Sequence, residues 1–125
     1  MNKEIKARWI EALRSGNYEQ GRYSLRRGSE FCCLGVLCDI VKDDVNCDWM
    51  EGEDSFGSLY KFAESDEVLP ELVVIHADLK ERSPELHVAV KCGNEEAMEF
   101  AALANLNDSG EYSFERLADL IEEQF

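Results

Sequence analysis

The chain is 125 residues long and 45% hydrophobic, and its 13 Lys and Arg against 27 Asp and Glu leave a net charge of −14. That size suits one domain burying about two-thirds of its unfolded surface, and so negative a charge argues against direct binding to nucleic acid or to an anionic membrane. The charge is lopsided, with seven Lys/Arg and four Asp/Glu in residues 1–30 but six and twenty-three in residues 31–125, so the body favours a partner with a basic surface, solubility alone being the competing reading.

Asn2 can cap a first helix near residues 2–15, with Ile5, Trp9, Ile10 and Leu13 as its apolar stripe before Ser15-Gly16-Asn17 stops it. Lys6, Arg8 and Arg14 fall mostly off the stripe and read as a solvated face. Tyr18 to Leu25 and Glu30-Phe31 read as a short hairpin turned at Arg27-Gly28-Ser29, which crowds Arg22, Arg26 and Arg27. The run Phe31-Cys32-Cys33-Leu34-Gly35-Val36-Leu37-Cys38-Asp39-Ile40-Val41 carries one charge and must lie inside. A run this apolar has no period, so strand and helix compete. Leu34, Leu37, Cys38 and Val41 fit one helical face and favour a central helix near 33–42, with Gly35 acceptable where another element comes close.

Residues 43–58 read as an acidic loop pinned by Trp49, and their spacing does not fit a calcium-binding EF-hand loop. Leu59-Tyr60-Lys61-Phe62 suits a short strand. Leu69-Pro70 opens a helix near 70–79 with Leu72, Ile75, His76 and Leu79 facing inward. Beyond Ser83-Pro84, residues 86–91 alternate as a half-buried strand. Asn94 is expected to cap a helix over 94–106 with Ala97, Ala101 and Ala104 on a close-packing face. Ser113 caps the last helix, 113–124, whose stripe is Phe114, Leu117, Ala118, Ile121 and Phe125.

The expected fold is therefore α+β, a single compact domain of about five helices packed on a small antiparallel sheet. Five cysteines without a C-x-x-C pair read as reduced thiols, and a start without an apolar signal region makes the cytoplasm the expected compartment. No residue is assigned a catalytic role, because Cys32, Cys33 and Cys38 lie in the most apolar segment, away from any electropositive, exposed setting. Two histidines on separate elements and scattered thiols make no metal-ligand spacing, so neither metal nor cofactor is expected. A helix-turn-helix reading of the last two helices fails on the acidic exposed face of Leu117-Ala118-Asp119-Leu120-Ile121.

Two binding readings remain. In the first, Asp43, Asp44, Asp48, Glu51, Glu53 and Asp54 form an acidic surface for a basic partner protein, which requires that they share a face. In the second, Arg14, Arg22, Arg26 and Arg27, with Asn107 and Asp108 as polar partners, line a pocket for a small anionic metabolite or nucleotide.

Trp9-Ile10-Glu11-Ala12-Leu13-Arg14-Ser15-Gly16-Asn17-Tyr18-Glu19-Gln20-Gly21, running on to Phe31-Cys32-Cys33-Leu34-Gly35-Val36-Leu37-Cys38-Asp39, resembles the opening of a family of small tailed-bacteriophage proteins. Leu106-Asn107-Asp108-Ser109-Gly110, Ser113-Phe114 and Leu117-Ala118-Asp119-Leu120-Ile121-Glu122 resemble that family's closing motif, so the likeness covers about half the chain. It implies a phage origin and the host bacterial cytoplasm, and it implies no chemistry. Joined to the acidic body, it makes a non-catalytic phage protein that binds a host protein the first expectation, for instance one inhibiting a nucleic-acid-handling or defence enzyme.

Overall fold

The computed structural model describes residues 1–92 and 95–125, with side chains described outside residues 90–96. Asn2 Oδ1 accepts the Ile5 N–H at 3.0 Å and starts α1 (Lys3–Arg14), whose Ile5, Trp9, Ile10 and Leu13 are all buried as the stripe required. The chain then runs through β1 (Glu19–Gln20), β2 (Arg26–Arg27) and β3 (Glu30–Phe31) into α2 (Cys33–Val41), the central helix. Seven of the nine α2 residues are buried. Such a helix forms because every face meets the protein interior, so no periodic pattern is needed to orient it.

Gly35 explains how α2 can be crossed so closely. A Cβ built there would stand 1.8 Å from the Leu25 carbonyl oxygen, so only a residue without a side chain lets the segment before β2 lie on the helix. Cys32 at the N-cap offers no capping side-chain bond. The Cys33 N–H is satisfied instead by Asn107 Oδ1, at 3.2 Å, from the far end of the chain.

β4 (Trp49–Asp54) and β5 (Gly57–Phe62) form an antiparallel hairpin that joins the first three strands in the order β1-β3-β2-β5-β4. The expected strand at 59–62 is therefore real, but the acidic loop is half strand. Residues 49–54 alternate only weakly because β4 is an edge strand, mostly exposed on both faces, and Trp49 alone anchors it by packing on Phe31 and Phe62. The sheet is also not purely antiparallel, since β1 runs parallel to β3.

α3 (Glu71–Ala77) follows Pro70, as expected, but presents Val73, Val74 and Ala77 to the interior. Leu72, Val73, Val74 and Ile75 make it apolar on all sides, so two stripes were open. With Leu69 buried at its entrance, the face containing Val73 wins, and Ile75 and His76 turn outward.

The largest departure is at 94–106. The Asn94 cap lies outside the described residues, and Glu95–Ala102 is strand β7, antiparallel to β6 (Glu85–Cys92). β6 alone would leave two edges of backbone N–H and C=O unpaired, and the next segment supplies a partner at once. The spacing of Ala97 and Ala101 fits a strand as well as a helix, since both then sit on one pleat face, and Ala104 falls in the helix that follows. Helix resumes only as α4 (Leu103–Asp108), and Ser113 Oγ then caps α5 (Phe114–Gln124) by accepting the Arg116 N–H at 3.2 Å.

One hydrophobic cluster joins all five helices to the sheet. The architecture is α+β. No described helix is long and apolar enough to cross a membrane.

Candidate functional site

The six acidic residues of the first binding reading do not form one face. Glu51 and Glu53 stand opposite Tyr60 and Ser58 on one side of the β4–β5 ladder, and Asp54, one residue on, falls on the other. Asp54 is moreover held by Arg27 at 2.6 Å, which depresses its carboxyl below the usual range. Asp44 is likewise engaged, accepting from Arg8 at 2.8 Å and lying 3.0 Å from His76 Nε2, and these contacts lower its carboxyl too. Asp48 receives the N–H of Trp49, and Asp43 is exposed in the turn after α2.

The four arginines of the second reading also separate. Arg14 spends its guanidinium on Asp119 and Glu122 of α5, at 2.7 and 2.6 Å. Arg26 lies over the Tyr60 ring, 4.0 Å from its centroid, and near Phe31 and Trp49. Arg27 is on Asp54. Arg8, Lys6 and Arg14, read from sequence as a solvated face, are in fact tethers: Arg8 reaches the Ile40 carbonyl and Asp44, and Lys6 the Glu122 carbonyl at 3.0 Å.

Arg22 is different. It lines a cavity of about 390 Å³ with Asn107, as the second reading requires, together with Gln20, Tyr112, Ser113 and Arg116. Neither Arg22 nor Arg116 forms an ion pair among the described residues, although Glu111 lies on the same wall. Gly110 makes room for Arg22. Its φ is +79°, and a Cβ there would stand 2.7 Å from the Arg22 guanidinium. Arg116 spreads over the Tyr112 ring at 5.2 Å and belongs to the first turn of α5.

That position is informative, because a helix N-terminus carries positive partial charge and its third residue is commonly acidic. An arginine there stands against the dipole, which Glu115 in the same turn answers in part. Arg116 is also the one basic residue in residues 95–123, beside nine acidic ones. The sequence held this signal, but the residue reads as one more surface charge until Arg22 is seen facing the same space.

The cavity floor is tied together by hydrogen bonds. Asn107, 1% exposed, donates through Nδ2 to the Gly21 carbonyl at 2.8 Å and accepts through Oδ1 from the Cys33 N–H and from Gln20 Nε2. Gln20 Nε2 also donates to the Tyr112 carbonyl at 2.9 Å. Asp108 Oδ1 accepts the Tyr23 N–H at 2.9 Å. Asn107 and Asp108 are therefore struts first, fastening α4 to the segments that enter α2.

Chemistry at the thiols is suppressed. Burial pushes Cys32 up to about 11 and raises Cys33 and Cys38 well above the ordinary thiol value, so all three are protonated at neutral pH. His76 is occupied with Asp44, and His87 packs on Phe100 with ring centroids 4.1 Å apart. Among the described residues no group of three His, Cys, Asp or Glu is arranged to hold a metal ion.

Against this geometry, the family model described as "Domain of unknown function (DUF8296)" matches residues 1–125. The chain belongs to the DUF8296 family. No curated protein and no solved structure matches it. The family description carries no activity, so the cavity's own chemistry is the basis for a functional reading.

Proposed function

We propose that this DUF8296 chain is a non-catalytic binding protein for a small oxyanion, held between Arg22 and Arg116 at the start of α5. The observation that carries this reading is the pair of arginines lining one cavity without an ion-pair partner among the described residues, whereas Arg8, Arg14 and Arg27 are each matched to a carboxylate. A phosphate or carboxylate would receive bidentate hydrogen bonds from the guanidinium groups and would complement the helix dipole. Gln20 and Asn107 hold the wall behind the two arginines through hydrogen bonds to Tyr112, Cys33 and Gly21. A macromolecular partner recognised through acidic residues has weaker support, since the carboxylates that would carry it are split between two sheet faces and two are committed to arginines.

The test is titration calorimetry with inorganic phosphate at low ionic strength, together with thermal unfolding in its presence. Saturable binding is expected, with a rise in Tm that disappears in Arg22→Ala and in Arg116→Ala. Gly110→Ala, whose Cβ would meet the Arg22 guanidinium, should shift that side chain and weaken binding. If phosphate neither binds nor stabilises, or binds equally well to both arginine variants, the reading is wrong.

A further inference from the structure

We infer that the outer edge of β7 takes an added strand from a partner protein, an extended segment in which apolar side chains alternate with Lys or Arg. The β6–β7 ribbon has two edges, and among the described residues only the β6 edge is closed. There Gln124 of α5 stands in for a neighbouring strand: its Oε1 accepts the His87 N–H at 2.7 Å, and its Nε2 donates to the His87 carbonyl at 2.8 Å. At the near end the Leu103 N–H donates to the Pro84 carbonyl at 2.8 Å and continues the ladder. Bonded and non-bonded pairs alternate in an antiparallel ladder, so the pairs His87–Phe100 and Ala89–Met98 turn their N–H and C=O groups away from each other. On β7 those groups belong to Met98 and Phe100, and no backbone group of another described element bonds to them.

The side chains along this edge select the partner. Met98 is 62% exposed and Phe100 68%, on the face of the ribbon that also carries the exposed His87 and Ala89, while the opposite face buries Leu86 and Val88 in the core. Open edges are ordinarily blunted by Lys, Pro or a bulge, yet Glu95–Ala102 contains neither Lys nor Pro and pairs with β6 residue for residue. An added strand would bond to the open groups of Met98 and Phe100 and set its own apolar residues beside those two side chains. Its intervening residues would fall beside Glu99, on the other face. Charge decides what they are. The charged residues of β7 are Glu95, Glu96 and Glu99, in a chain of net charge −14, and Lys or Arg complements them. The same charges disfavour a second copy of this chain, since antiparallel pairing of β7 with itself about Glu99 would set that carboxylate against its own copy.

The experiment titrates the full chain, by fluorescence anisotropy, against a labelled, end-capped peptide of alternating Val and Lys as long as β7. Beside it stand a copy whose central Val residues are replaced by Pro, equal in charge but unable to add a strand, and a copy with Glu for every Lys. The Val-Lys peptide should bind at least about tenfold more tightly than either copy. Met98→Pro removes one outward N–H without touching the bonds to β6, and should cancel the margin over the Pro copy at an unchanged Tm. Glu99→Lys leaves the backbone as it is and should shift the preference towards the Glu copy. A Val-Lys peptide that binds no better than its Pro copy would report charge attraction alone and overturn the inference. So would a margin that survives Met98→Pro, or a preference for Lys over Glu that Glu99→Lys leaves unmoved. Concentration-dependent dimerisation in sedimentation, abolished by Met98→Pro, would give the edge to a second copy of the chain instead.

Discussion

At Gly35 a single hydrogen in place of a methyl group decides whether the segment ending at Leu25 can lie on the central helix. Gly35→Ala places a Cβ against a carbonyl oxygen of the backbone, which cannot rotate away, and should cost at least about 2 kcal/mol despite alanine's better helix propensity. Asn107 makes the complementary case for a polar residue. Asn107→Ala strips a buried carbonyl and the α2 N-terminus of their partners, and equilibrium urea unfolding should show a loss of about 2–4 kcal/mol. The thiols test burial directly. Cys32, Cys33 and Cys38 should resist a thiol reagent at pH 8 until denaturant is added, with modification sites read by mass spectrometry. Rapid native modification of Cys32 or Cys33 would mean that the start of α2 opens in solution.

Among the elements, α2 and α5 are the ones whose loss of packing would be felt most. Leu37→Ala should cost about 2–5 kcal/mol and Phe114→Ala about 3–5, because both side chains are almost wholly buried and the surrounding helices cannot collapse onto the gap. A loss below about 1 kcal/mol at either site would place the core elsewhere. The contact between α2 and β4 is polar and pH-dependent. Asp39 accepts from Tyr18 Oη at 2.6 Å and from Trp49 Nε1 at 2.9 Å. Burial opposes its charged form, yet these bonds and the nearby Lys42 outweigh that cost and hold its carboxyl below the ordinary value. A group whose folded pKa is lowered contributes stability that is fully present above its unfolded value and is lost as pH falls through the folded one. The urea midpoint should therefore fall as pH drops below about 4, and Asp39→Asn should flatten that fall while lowering stability at pH 7.

For the molecule as a whole, charge is the dominant long-range term. A net charge of −14 on 125 residues repels itself, and the ion pairs that tie α1 to α5 and to the turn after α2 offset only part of it. Shortening the Debye length from about 30 to about 8 Å should relieve the repulsion more than it weakens these exposed pairs. Raising NaCl from about 10 to about 150 mM should accordingly increase Tm, and a decrease would show that the pairs outweigh the net charge. The same field would repel a small anion from most of the surface. Arg22 and Arg116 place two positive charges on one cavity, so affinity for an anion there should fall as salt is added.

Local pattern was enough wherever a segment's surroundings could be read from its own residues. The α1 and α5 stripes and their Asn2 and Ser113 caps follow from 3.6-residue spacing and an acceptor side chain at the right place, and the burial of α2 follows from a run that leaves nothing polar to expose. Only the tertiary structure decided the segments that pattern left with two answers. Residues 95–102 became a strand because β6 lay beside them with unpaired backbone groups. α3 rotated because Leu69 and its neighbours had already chosen the buried side, and β4 formed because β5 offered a ladder to residues too polar to announce a strand. The candidate site belongs wholly to this second class. Arg22 and Asn107 were legible as an arginine in a crowded turn and a polar residue near a helix end, but that they share a cavity with Arg116, 94 positions after Arg22, depends on how α4 and α5 fold back over β1. Sequence spacing sets which residues share a face of one element. Convergence of side chains from different elements is set by packing, and a binding site is a convergence of that kind.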